Sequence, residues 1–75
     1  MEPKYLVKHY CYKTVISVAA FDNFYAANTY FKTLCEDCAN DDLYCGCNHY
    51  IIIFEFSYQD DMYLEYTHAK INREN

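Results

Sequence analysis

The sequence predicts an α+β fold in which an antiparallel sheet of about four strands carries one helix on one face, in the chain order ββαββ. Two observations predict it. Apolar residues recur at every second position towards both ends of the chain and at three- and four-residue steps between them, the periods of strand and helix. A hydrophobic share of 53% with a single Gly and a single Pro argues against a linker or a disordered stretch. Seventy-five residues hold one small domain, read as residues 1–75 with the tail 70–75 frayed. The 10 Tyr and 5 Phe supply the apolar area that so short a chain must concentrate.

The elements follow in order. Lys4 to Tyr10 alternates, with Tyr5, Val7 and His9 on one face and Lys4, Leu6, Lys8 and Tyr10 on the other. Lys13 to Ala19 is β-branched and places Thr14, Ile16 and Val18 together. A reversal near Cys11 and Tyr12 would make these two runs a hairpin; without an Asn-Gly or Gly-rich turn signal, one long bent strand is the alternative. Asp22 or Asn23 can cap a helix, and Phe24, Ala27, Phe31, Leu34, Cys35 and Cys38 build its apolar stripe until polar residues cluster at Asp37 to Asn40. Tyr50 to Tyr58 is the strongest strand, with Tyr50, Ile52, Phe54, Phe56 and Tyr58 facing one way and Ile51, Ile53, Glu55 and Ser57 the other. After a turn at Gln59 to Asp61, Met62, Leu64 and Tyr66 alternate with Tyr63, Glu65 and Thr67 in a last strand.

Charge is distributed unevenly. Every residue ionised at neutral pH from Thr33 to Ala69 is an acid: Glu36, Asp37, Asp41, Asp42, Glu55, Asp60, Asp61 and Glu65. Like charges close together in a small domain repel, so an acidic surface with little local neutralisation points to a basic partner more than to folding. Tyr44, Tyr63 and Tyr66 are interleaved with these acids and could anchor such a contact. The competing reading is a solvated rim of acids in turns, with tyrosines in the half-core.

Several function classes lose support. Hydrolytic chemistry needs paired carboxylates in a cleft with one pKa raised by burial, whereas Asp41, Asp42, Asp60 and Asp61 fall in expected turns. One glycine cannot make a phosphate-cradling loop. No Ser–His–acid or Cys–His arrangement has a recognisable context, so the chain is read as a non-enzyme. Stacking aromatics on a sheet can bind nucleic acid, but phosphates demand Lys and Arg, which the stretch from Thr33 to Ala69 lacks, so direct nucleic-acid binding is not expected. Tyr50 to Phe54 is the longest apolar run and is too short for a membrane span or a signal peptide, so a cytoplasmic location is expected.

In a reducing compartment the five cysteines are thiols or metal ligands. CEDCANDDLYCGCNH offers Cys35, Cys38, Cys45, Cys47 and His49, enough for a tetrahedral zinc site that would clip helix to strand. Only six residues separate Cys38 from Cys45, against about 12 or more in common zinc motifs, which favours the competing reading: core thiols on the helix and reduced thiols in a loop. Redox chemistry at Cys35 and Cys38 is disfavoured, because a helix C-terminus beside Glu36 and Asp37 raises thiol pKa values. His9 and His68 read as packed or surface side chains.

The opening KYLVKHY, the second strand running into FDNFYAANTYFKTL with its FDN-x-x-x-A helix start, and the acidic closing hairpin resemble small ββαββ proteins encoded by bacteriophages, including some anti-CRISPR proteins. The resemblance spans most of the chain and implies an inhibitor that blocks the nucleic-acid site of a host nuclease or effector complex. It implies no catalytic residue, and the cysteine cluster departs from it. The expectation is a non-enzymatic protein-binding inhibitor that needs no cofactor. Asp41, Asp42, Glu55, Asp60, Asp61, Tyr63 and Glu65 would contact a basic nucleic-acid-binding protein. The alternatives are a structural zinc module held by Cys35, Cys38, Cys45 and Cys47, or a self-associating module, a homodimer, that uses its aromatic sheet face or an edge strand.

Overall fold

The computed structural model describes residues 3–40 and 48–71, apart from the side chain of Asn40. Five elements run in the expected order: β1 (Tyr5–Cys11), β2 (Thr14–Phe21), α1 (Phe24–Asn40), β3 (His49–Ser57) and β4 (Met62–Ile71). The strands form one antiparallel sheet in the order β2-β1-β3-β4, so the fold is α+β with ββαββ topology.

The first reversal is a hairpin rather than a bend. Tyr12 adopts φ 58, a left-handed conformation that Gly or Asn takes more readily, so the turn is made without the glycine that would have marked it in the sequence. Its N–H donates to the Asn48 carbonyl at 3.1 Å, so an interaction with the entry to β3 supports the turn. Asn23 caps α1: its Oδ1 accepts the Ala26 N–H at 2.8 Å. At the β3–β4 turn the Ser57 hydroxyl donates to the Asp60 carboxylate at 2.9 Å and accepts the Asp60 N–H at 3.2 Å, while Asp61 takes φ 54.

Two bulges change which residues share a face. In β2, Ser17 pairs with His9 and Val15 with Tyr10, leaving Ile16 as the extra residue. Thr14 therefore joins Cys11 on one face and Val18 joins Lys8 on the other, instead of lying together. In β4, Thr67 pairs with Ile53 and Glu65 with Phe54, so Tyr66 is extra and Thr67 moves to the face of Leu64. Strand pairing also continues to Ile71, so Lys70 and Ile71 are ladder residues rather than frayed tail.

The helix covers the sheet face that carries Tyr5, Val7, His9, Ile51 and Ile53. Val7, Ala27, Cys38, Ile51 and Ile53 are fully buried, with Phe21, Tyr30, Phe31, Leu34, Cys35 and Ile71 packed around them. Removing a side chain such as Ile51 or Ile53 from water is worth about 1.5–3 kcal/mol. This is the stripe the helix period specifies, docked on the odd-numbered face of β3. Among the described residues no helix is long and apolar enough to cross a membrane.

Candidate metal centre

Three elements aim ligand atoms at one buried point. His9 lies in the middle of β1, His49 opens β3, and Cys38 sits in the last turn of α1. In the β1–β3 ladder, His9 pairs with Ile51 and Cys11 with His49, so the two histidines are diagonal neighbours on the helix-covered face. His9 Nε2 is 2.9 Å from His49 Nδ1, and Cys38 Sγ is 3.4 Å from His9 Nε2. The three ligand atoms all lie within 4.8 Å of one another. Exposure is 2% for His9, 1% for His49 and 0% for Cys38.

The donor set fits a cation. A ring nitrogen carries either a proton or a lone pair, so His9 Nε2 cannot satisfy both neighbours fully, whereas an ion at their centre accepts all three lone pairs at once. Tetrahedral zinc, with bonds of about 2.0–2.1 Å to nitrogen and about 2.3 Å to sulfur, spaces its ligands roughly 3.3–3.6 Å apart. The Cys38–His9 separation of 3.4 Å falls in that range, the His9–His49 separation of 2.9 Å is a few tenths of an ångström below it, and the third separation is no more than 4.8 Å. Burial, with the His49 ring second, holds His9 below its ordinary value of 6.5, so its neutral, metal-ready form dominates at neutral pH. Without an ion, the same groups form a buried hydrogen-bonded cluster centred on His9 Nε2.

Two more thiols flank the cluster: Cys11, directly across from His49, and Cys35, one helical turn before Cys38. Burial, with the Glu36 carboxylate second, raises the Cys35 thiol above its ordinary value. Of the four cysteines read as zinc ligands, Cys38 enters the cluster, Cys35 stands half-buried beside it, and Cys45 and Cys47 lie outside the described residues. His9 was read as an ordinary strand residue. Its partnership with His49, 40 residues away, depends on a register that no local motif encodes.

The residues read as a partner surface occupy different places. Asp41 and Asp42 lie outside the described residues. Glu55 sits half-buried on the helix side of β3, accepts a hydrogen bond from the Tyr5 hydroxyl at 3.2 Å, and pairs with Lys4 Nζ at 3.8 Å. Glu65 is across the sheet on the opposite face, 2.8 Å from His68 Nδ1. The Tyr63 hydroxyl donates to the Pro3 carbonyl at 2.6 Å. Asp60 and Asp61 are exposed at the turn, next to Tyr58.

Comparison with known proteins returns no matching family model, curated protein or solved structure.

Proposed function

We propose that the chain is a non-enzymatic binding module whose helix is fastened to its sheet by one zinc ion, held by Nε2 of His9, Nδ1 of His49 and the Cys38 thiolate. The convergence of these three buried atoms carries the reading. A chain of this size gains more than a large one from a metal clip, because its core is small. Catalytic zinc keeps a position open to substrate. Three protein ligands leave a tetrahedral ion one position for a further donor such as water, and side chains this deeply buried keep substrate from reaching it, which favours a structural role. Zinc-reconstituted protein should carry one ion per chain in native mass spectrometry, lose it to a chelator, and hold none as C38S or H9A. A wild-type chain that takes up no metal, or a C38S chain that keeps full occupancy, contradicts the proposal.

The β3–β4 turn favours a second reading, in which the module inhibits a basic nucleic-acid-binding protein or effector complex. Asp60 and Asp61 are exposed there beside Tyr58, a residue that is 69% exposed. Lys4 Nζ lies 4.8 Å from the centre of that ring and offsets part of the local charge. With Glu55 held by Lys4 and Glu65 by His68, the turn is the part of the described set on which this reading rests. Reversing both turn acids (D60K/D61K) should weaken capture of such a partner from a phage-host lysate and reduce its salt sensitivity, with the circular dichroism spectrum unchanged and the melting temperature lowered only by loss of the Ser57–Asp60 hydrogen bond and of Asp at φ 54. Equal capture by wild type and variant removes the reading.

A further inference from the structure

The two edges of the sheet differ. β4 carries Glu65, His68 and Lys70 and a bulge, the devices by which edge strands resist pairing with another chain. β2 carries no charged residue from Thr14 to Phe21, and Val15, Ile16 and Val18 are 44%, 48% and 54% exposed. Among the described residues nothing pairs with its outer side. An uncharged edge of eight residues is a template for a further strand.

The sequence of β2 is complementary to itself. Directly opposed residues of an antiparallel pair point to the same face, so a two-fold axis perpendicular to the sheet can pass through Val18. That axis sets Val18 against Val18 of a second copy and Ser17 against Ala19. With Ile16 again the extra residue, as it is against β1, Val15 then meets Ala20 and Thr14 meets Phe21. One step further, Lys13 of each copy faces Asp22 of the other. Both are exposed, and neither belongs to an ion pair among the described residues. The symmetry makes this opposite-charge pair twice, and each pair favours this register over a slipped one.

We infer that the protein is an isologous homodimer in which two β2 strands join antiparallel about Val18 into one eight-stranded sheet, clamped at both ends by Lys13–Asp22 pairs between copies. Only the guarded β4 edges are left outermost, so assembly closes at two chains instead of growing. The inference goes beyond the proposed zinc site and uses none of its ligands.

Sedimentation equilibrium of the full chain over micromolar concentrations tests it. Wild type should reach twice the 9.0 kDa monomer mass. K13D and D22K should each weaken the dimer roughly 2- to 30-fold, and the double exchange K13D/D22K should restore it. V18K, which opposes two ammonium groups on the axis, should be monomeric, with a circular dichroism spectrum that reports whether it folds. A wild type that stays monomeric throughout, single reversals without effect, or a double exchange that fails to recover the dimer each overturns the inference. The exchange series decides the matter even if V18K does not fold.

Discussion

A histidine on a strand and a cysteine on an apolar helix stripe are ordinary core residues taken singly; their chemistry changes when their polar atoms face one another. Cys38 occupies its place for a hydrophobic reason, as the last member of the three- and four-step stripe, and that same placement aims its sulfur at His9. Tyr63 shows the converse. Expected to anchor a partner, it also ties the start of the chain to β4 through a 2.6 Å hydrogen bond to Pro3. Replacing it with phenylalanine removes one part-buried hydrogen bond and should cost about 1 kcal/mol in urea unfolding. A Y63F chain of unchanged stability contradicts this tether.

At the scale of elements, much of the fold was legible. The α1 stripe was, because 3.6-residue periodicity and an Asn cap are local signals, and Asn23 makes the expected bond. β3 was legible for a related reason: a strand flanked on both sides in the sheet reads as a long run of apolar and aromatic residues. The alternation in β2 and β4 failed partway because each contains one bulge, at Ile16 and at Tyr66, and a bulge reverses every face beyond it. Nothing in the residues themselves marks either position. The hairpin reversal near Cys11 and Tyr12 stood beside a bent strand as an alternative, because Tyr12 takes a left-handed conformation supported by Asn48 and no glycine marks the turn. The candidate metal centre was half legible: Cys38 and His49 stood in a cysteine-rich segment, whereas His9 enters only through the β1–β3 register.

Across the whole molecule, the register sets Glu55 and Glu65 on opposite faces of the sheet, and both line one depression beside Ser57, Tyr58 and Gln59 of the β3–β4 turn. Glu55 lies under the helix side of the sheet, Glu65 on its opposite face, and Asp60 and Asp61 at one end of β3, with His49 at the other. The charge imbalance in the sequence is real, but folding matches part of it with Lys4 and engages the Glu65 carboxylate in a hydrogen bond with His68. The buried cluster, by contrast, links the three elements that make the core, since β1, α1 and β3 each supply one ligand atom. An ion there would resist separation of the helix from the central strands, so metal and fold should be thermodynamically coupled. The most direct measurement is the melting temperature of the metal-free chain as zinc is added. The account predicts a continuous rise with free zinc, equivalent to about 2.7 kcal/mol at a hundredfold excess over the dissociation constant, and no rise in H9A. A wild-type melting temperature that does not respond to zinc would contradict it.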